Sequence, residues 1–288
     1  MSNLLKDFSS ATADVVEATA RNVVAVNGRD WGGSSGIIVK PGVIVTAAEA
    51  LEHDEEVDVI LPDGREAKAT VAGRDPTTDV AVLRVSGANL AATSAAAQPR
   101  AGAIVIGVGR VGNDIVAALG TIAGVGEGWR SRQGGLIDAR IRVDVTLRRS
   151  TEGGALVDAE GSLIGMAVFG PRRRVLAIPH ATIMRAVEHI LMHGSVTRGY
   201  VGLNVQPVPA DSGAGAIVVG LDPEGPAKNA GVILGDVLLT WNGEAINGAR
   251  DVVDRLGPSS VGQSARLGLS RASKPLEVSV TIVPRRSP

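Results

Sequence analysis

Cysteine is absent from the sequence, and aromatic residues are scarce. The absence of cysteine excludes disulfide bonds, thiolate metal sites and cysteine nucleophiles. Because only 2% of the residues are aromatic, a stacking surface for single-stranded nucleic acid or sugars is not expected. Basic and acidic residues nearly balance, 29 against 30, so the chain lacks the excess positive charge that nucleic-acid binding requires. No nucleic-acid partner is therefore predicted.

Long apolar runs are also missing. No window reaches about 18 uninterrupted apolar residues, the length that a transmembrane helix needs, so no membrane span is predicted. The N-terminal segment does not match a secretory leader, because Asp7, Asp14 and Glu17 interrupt its apolar residues. The sequence as given predicts a cytoplasmic protein, and a periplasmic one if a leader has been removed. No cofactor is predicted.

The pattern of apolar residues predicts a mostly β chain of about two domains. Residues 3–21 have apolar positions at helical spacing. From Val23 onward, short β-rich runs alternate with glycine and proline every ten residues or so, which is typical of a barrel or sandwich. Residues 87–101 are small and polar and predict a surface connection between two such series, and residues 181–193 predict a closing helix. Two packed β-barrels are therefore expected in the first domain.

A separate module is predicted after Gly194. Residues 198–285 contain several apolar strand patterns, with a short helix near 226–231 and a longer one near 248–256. This composition predicts a small α+β domain. The expected divisions are an N-terminal helix at 1–22, the double barrel at 23–194 and the last domain at 199–286.

Three segments of the first domain occur in a diagnostic order. They are GVIVTAAEAL from Gly42, GRDPTTDVAVLRV from Gly73 and DVTLRRSTEGGAL from Asp144. Their order and their residues resemble the segments around the His, Asp and Ser of the HtrA/Deg family of trypsin-like serine proteases. The match needs no gaps within the segments. The resemblance implies a mostly β, two-barrel trypsin-like domain of the chymotrypsin fold.

The resemblance assigns each catalytic place to a residue of this chain. Glu49 stands in the place of the general-base His, Asp79 in that of the orienting Asp, and Glu152 in that of the nucleophilic Ser. The Gly-Asn pair that precedes the Ser in the family is replaced by Ser150 and Thr151. The positions of the oxyanion loop are thus Ser150, Thr151, Glu152 and Gly153.

These replacements predict a site that cannot hydrolyse peptides. The family mechanism needs a hydroxyl that a neighbouring imidazole can deprotonate. A carboxylate such as that of Glu152 could attack a carbonyl only to form a labile anhydride, and Glu49 is a far weaker base than imidazole near neutral pH. The sequence therefore predicts a non-catalytic pseudoprotease of the HtrA type, acting as a peptide-binding, scaffold or regulatory protein.

Other interpretations remain open at this stage. The family's usual activity is that of a serine endopeptidase in protein quality control, and here it would need His53 and Ser150 to replace the missing residues. A carboxylate-based hydrolase would use Glu49 and Glu152. If Glu49, Asp79 and Glu152 converge, they can bind a metal ion or a basic side chain. The carboxylates can also be merely solvated or paired with arginine.

The last domain resembles a PDZ domain of the bacterial type. Gly225-Pro226-Ala227 stands where the family has Ser-Pro-Ala, and Gly235-Asp236 and Asn242-Gly243 keep the family's spacing. The resemblance implies that backbone N–H groups bind a peptide's C-terminal carboxylate while the peptide adds as a strand. The groove residues that it implies are Tyr200, Val201, Gly202, Leu203, Asn204, Val205, Val252, Val253 and Leu256. The alternative is a domain that packs against the barrels and binds nothing.

The resemblance also implies protein partners. C-terminal peptides or unfolded segments are the expected ligands of the PDZ domain. Family members usually assemble as trimers through the N-terminal segment of the barrel domain, and here Phe8 and the helix at 3–21 could serve that assembly. A homotrimer is therefore the expected oligomer.

Overall fold

The chain forms two compact units, Met1–Val196 and Thr197–Pro288. The computed structural model describes residues 3–28, 33–52, 55–86, 98–131, 133–170, 174–196, 198–210 and 213–285. The predicted connection at 87–101 lies for the most part outside the described residues, as does His53. Among the described residues, no helix is both long and apolar enough to cross a membrane.

The first unit consists of one long N-terminal helix, two sets of strands and a closing helix. The first helix is α1 (Leu4–Ala20), and the strands that follow are β1 (Val23–Asn27), β2 (Ser34–Lys40), β3 (Val43–Thr46), β4 (Glu56–Ile60), β5 (Glu66–Asp75), β6 (Val80–Val85), β7 (Ile104–Val111), β8 (Asp114–Gly126), β9 (Trp129–Arg130), β10 (Leu136–Ile137), β11 (Arg140–Asp144), β12 (Ala155–Val157), β13 (Leu163–Phe169) and β14 (Val175–Pro179). The closing helix is α2 (His180–His193). Helices predicted at 3–21 and 181–193 are thereby confirmed.

Twelve of these strands close into two antiparallel barrels, as predicted. The strand order is β1-β2-β3-β6-β5-β4 in the first barrel and β11-β14-β13-β12-β7-β8 in the second. A turn joins β4 to β5 in the first barrel, with Gly64 at a φ of +84°. That conformation favours glycine, because a side chain there would meet the backbone.

The strands around the site are buried on both faces. Successive side chains of a strand point to opposite sides, so Ile38 and Ile44 fill the first barrel, while Ile37 and Val45 pack towards α2 and the second barrel. All four are fully buried. This double burial explains why β2 and β3 are almost continuously apolar instead of alternating with polar residues.

A buried arginine joins α1 to both barrels. The Arg110 side chain donates hydrogen bonds to the carbonyls of Val23 (2.8 Å) and Ala20 (3.0 Å). Its backbone N–H donates to Ser35 Oγ (2.9 Å). Ala20 ends α1, where the exposed carbonyls carry partial negative charge, so the guanidinium is well placed there despite burial that lowers its pKa. Arg110 thus fixes β7 beside Ser35, a residue of the candidate site.

The second unit is a small α+β domain, as predicted. Its strands are β15 (Gly199–Tyr200), β16 (Leu203–Ala210), β17 (Gly213–Leu221), β18 (Val237–Trp241), β19 (Glu244–Ala245), β20 (Ser264–Arg271), β21 (Lys274–Thr281) and β22 (Val283–Pro284), with helices α3 (Pro226–Asn229) and α4 (Ala249–Arg255). The main sheet has the order β16-β17-β18-β20-β21, which leaves β16 at an edge.

Candidate functional site

The first part of the candidate site is a single 3₁₀ turn that follows β3. The turn, Ala48–Ala50, presents Glu49 to solvent. Thr46 fixes its beginning, since Thr46 Oγ1 donates to the carbonyl of Ser35 (2.7 Å). Arg74 fixes its end by donating to the carbonyl of Leu51 (2.7 Å). Glu49 is therefore held on a rigid segment at the edge of the first barrel.

Asp79 lies directly against this turn. Its backbone has a φ of +58°, a conformation that aspartate adopts more readily than most residues. The preceding loop is fixed by Asp75, whose carboxylate accepts from Thr77 N–H (2.9 Å) and Thr78 Oγ1 (2.7 Å). Asp79 Oδ1 accepts the backbone N–H of Glu49 (2.9 Å). The structure thus brings together Glu49 and Asp79, as the alignment implied.

Glu152 reaches the same place from the second barrel. Its backbone carbonyl accepts from Ser35 N–H (2.7 Å). The next residue, Gly153, has a φ of +82°, and a Cβ there would collide with the carbonyl of Ser35 and with Thr46 Oγ1. Only glycine permits this approach between the two barrels, and the approach leaves Glu152 just 4% exposed.

The three carboxyl groups interact electrostatically. The pKa of Asp79 is raised to about 7, chiefly by burial and in part by repulsion from Glu49 and Glu152. The hydrogen bond from the Glu49 N–H opposes this shift. Near neutral pH a substantial fraction of Asp79 is therefore protonated. Asp79 then carries less negative charge than the ionised aspartate that orients the histidine of a serine protease.

The backbone of the predicted oxyanion loop is closed. Residues Arg149–Thr151 form a 3₁₀ turn in which Glu152 N–H donates to the carbonyl of Arg149 (3.1 Å). Gly153 N–H donates to the carbonyl of Ala167 (2.8 Å), and the Ser150 carbonyl accepts from Ser35 Oγ (3.2 Å). An oxyanion hole needs N–H groups aimed at the substrate oxygen, and the Glu152 N–H is instead used inside the turn.

The described residues offer no group of three His, Cys, Asp or Glu side chains arranged for a metal ion. The metal hypothesis on Glu49, Asp79 and Glu152 is therefore not supported by the geometry. The described histidines, His180, His189 and His193, all belong to α2. Ser150, the serine considered as a replacement nucleophile, is half-buried in the loop.

The second candidate site is a groove of the α+β unit. All nine residues that the PDZ resemblance implied line one cavity of about 330 Å³ between β16 and α4. Sequence analysis missed two arginines at this cavity, Arg198 and Arg285. Arg198 also donates to the carbonyl of Val253 on α4 (2.7 Å). Arg198 directly precedes Gly199 and Tyr200, and this position next to the implied groove loop could have indicated it from the sequence.

Backbone hydrogen bonds orient two N–H groups of the loop that lines this groove. The carbonyl of Val201 accepts from Ala227 N–H (2.9 Å), and the carbonyl of Gly202 accepts from Asp222 N–H (3.0 Å). In a trans peptide the C=O and the following N–H point in opposite directions. The N–H groups of Gly202 and Leu203 therefore point away from the 222–227 segment. Tyr200 Oη, which donates to Asp222 Oδ2 (2.7 Å), adds a side-chain hydrogen bond to this arrangement.

Comparison with known proteins identifies both units. Residues 34–166 match the family model of the trypsin-like peptidase domain, and residues 199–282 match that of the PDZ domain. The fold class is therefore a trypsin-like two-barrel domain followed by one PDZ domain.

Named relatives place the chain more closely. It is 32% identical over 278 residues to a probable periplasmic serine endoprotease, DegP-like, of Brucella suis, and 32% identical over 267 residues to one of Halomonas elongata. These matches cover 87% of this chain but only 52% and 56% of the relatives. The chain thus spans about half the length of these curated relatives.

Solved structures agree with this placement. A serine endoprotease from Yersinia pestis has a TM-score of 0.77 at 27% identity, covering 96% of this chain and 98% of that one. The HtrA-type protease AlgW, solved with a decapeptide, has a TM-score of 0.75 at 25% identity, covering 96% and 99%. The chain belongs to the HtrA/Deg family. The curated relatives are named periplasmic, which agrees with the periplasmic alternative and gives the cytoplasmic expectation no support.

The raised pKa of Asp79 predicts a stability that depends on pH. Between pH 4 and 7, roughly, the folded protein retains a proton that the unfolded chain has lost, so rising pH disfavours the folded state. Asp79→Asn cannot ionise and can still accept the Glu49 N–H. We expect this variant to be more stable than wild type by ~1–2 kcal/mol at pH 8, after allowance for partial exposure, with the difference shrinking as pH falls.

Urea unfolding at pH 4.5, 6 and 8 measures this difference. Asp14→Asn, which removes an exposed carboxylate from α1, is the matched control and should show no such pH trend. A stability difference for Asp79→Asn that is the same at all three pH values would contradict the assignment.

Proposed function

We propose that the trypsin-like domain is catalytically inactive and that the protein is a non-catalytic member of its family. The observation that carries this proposal is the pair of glutamates, Glu49 and Glu152, at the places of the base and the nucleophile. The closed turn at Arg149–Thr151 supports it independently, because it concerns the backbone and not the side chains. Loss of the base and the nucleophile typically costs ~10⁴- to 10⁶-fold in rate.

An active serine endopeptidase is the second candidate function. The names of the relatives favour it, since they are called serine endoproteases. It requires a hydroxyl nucleophile in this chain, and Ser150 is the serine nearest in sequence to Glu152. The contact from Ser35 Oγ to the Ser150 carbonyl places that residue within the closed turn, which argues against its use. A hydrolase based on Glu49 and Glu152 has no further observation in its favour.

Hydrolysis of an unfolded protein distinguishes the two candidates. We expect the chain to release no more peptide from denatured casein than a buffer blank over a day at pH 7 to 8, since activated hydroxyl and oxyanion donors are both missing. Ser150→Ala and the exposed-serine control Ser10→Ala should give the same background. Turnover by the wild type that Ser150→Ala abolishes and Ser10→Ala leaves unchanged would establish the endopeptidase instead.

For the PDZ domain, we propose binding of peptide C-termini. The support is the groove in which the predicted loop and helix residues line one cavity. The N–H groups of Gly202 and Leu203 suit a carboxylate, and Arg198 and Arg285 add positive charge beside them. Strand β16 lies at the sheet edge, so a peptide can extend the sheet there. The related protease AlgW has been solved with a decapeptide and with a tripeptide.

The assembly and location of the protein belong to the same proposal. Leu4, Leu5 and Phe8 are exposed on α1, where a homotrimer would bury them. We also propose the divisions 1–22, 23–194 and 199–286 as functional boundaries, and a periplasmic location in line with the names of the relatives. In this proposal the barrel domain is a scaffold and the PDZ domain binds the peptide.

Peptide binding is tested with two libraries of short peptides, identical except for a C-terminal carboxylate or amide. The wild type should retain the carboxylate library and not the amide library. Val253→Glu places a negative charge in the groove and should lower retention about tenfold or more, because like charges repel in a partly desolvated site.

Leu234→Glu introduces the same charge at a residue that is 61% exposed and does not line the groove, and it should bind as the wild type does. Equal retention of the two libraries by the wild type, or full retention by Val253→Glu, would remove the proposal. Circular dichroism of each variant confirms that the loss is not one of folding.

A further inference from the structure

The last turn of α2 presents three metal-binding side chains that neither candidate site uses. They are His189, Met192 and His193, at positions i, i+3 and i+4 of a regular helix. Residues with this spacing lie on one face. Two of the chain's four histidines and one of its four methionines therefore meet on a single helical turn.

The two imidazoles are in direct contact. Their ring centroids are 5.0 Å apart, with an angle of 53° between the ring planes. A pair of histidines at i and i+4 is a recurrent way to chelate a transition metal on a helix. Met192 is 70% exposed, although its side chain is apolar, so its thioether is accessible beside the pair.

The helix that holds these side chains is rigid. Ile183, Val187 and Ile190 are buried on its inner face. Arg185 anchors the helix to Asp138, with distances of 2.7 Å to Oδ1 and 2.6 Å to Oδ2. Ligands on a fixed helix lose little freedom when a metal ion binds, so the rigidity favours affinity.

The electrostatics of the turn also favour a cation. The carbonyl end of a helix has partial negative charge, and His193 lies at the last position of α2. Glu188, next to His189, is exposed and adds negative charge. The positive charge of Arg185, one turn before His189, is paired with Asp138.

We propose that His189, Met192 and His193 bind one soft transition-metal ion, Cu(I). Thioether ligands select Cu(I), which also accepts imidazole. Structural Zn(II) sites need four ligands, and the described residues hold no group of three His, Cys, Asp or Glu suited to a metal ion. Two imidazoles and one thioether match the needs of Cu(I) better than those of Zn(II). The binding involves no change of oxidation state.

The test is competition for Cu(I) against a colorimetric Cu(I) chelator, under anaerobic reducing conditions, with the full chain. We expect one equivalent of Cu(I) to bind to the wild type. Met192→Leu should weaken Cu(I) binding about tenfold while leaving weak Zn(II) binding unchanged. His189→Gln should weaken Cu(I) binding by at least about a hundredfold, since it leaves a single imidazole.

His180→Gln and Met184→Leu, on the same helix but outside the turn, are the matched controls and should bind as the wild type does. Absence of stoichiometric Cu(I) binding, or the same affinity in His189→Gln as in the wild type, would overturn the site. Tighter binding of Zn(II) than of Cu(I), or no effect of Met192→Leu, would overturn the assignment of the ion. Circular dichroism verifies that each variant keeps its helix content.

Discussion

The close approach of Gly153 to the first barrel is the contact on which the candidate site depends. A Cβ at this position would overlap the Ser35 carbonyl and Thr46 Oγ1, so the two barrels can meet here only through glycine. The approach lets Ser35 N–H bind the carbonyl of Glu152 and so fixes that residue beside Asp79. The approach thus brings Glu152 of the second barrel to the place where Glu49 and Asp79 of the first barrel already lie.

The carboxyl groups of Glu49, Asp79 and Glu152 set the electrostatic character of the site. In a serine protease, the aspartate beside the catalytic histidine is ionised. Its negative charge stabilises the imidazolium that forms when the histidine takes the proton of the serine. Here burial, together with repulsion from two further carboxyl groups, raises the pKa of Asp79 to about 7. The turn at the predicted oxyanion-loop positions is closed as well, since the Glu152 N–H donates to the carbonyl of Arg149. The second unit has a groove beside the edge strand β16, and that groove carries the proposal of peptide binding.

The sequence predicted those features that depend on local pattern. Asp79 and Gly153 stand in motifs that match the family without gaps. The resemblance therefore placed Glu49 and Glu152 at the positions of the base and the nucleophile, and it implied the two barrels. It did not predict the burial of Glu152, because that burial depends on contact with Ser35, which is more than a hundred residues away in the chain. Arg110 was missed for the same reason, since its partners come from α1 and β1. Pairings between distant segments have no periodicity that a sequence reveals.

Intact-mass analysis after treatment with a fluorophosphonate tests the central claim most directly. Such a reagent modifies a serine only where a base activates the hydroxyl and N–H groups stabilise the developing oxyanion. The account predicts no increase in mass of the folded chain. A stoichiometric adduct on one serine, absent when the protein is unfolded before treatment, would show that a working nucleophile exists and would contradict the account.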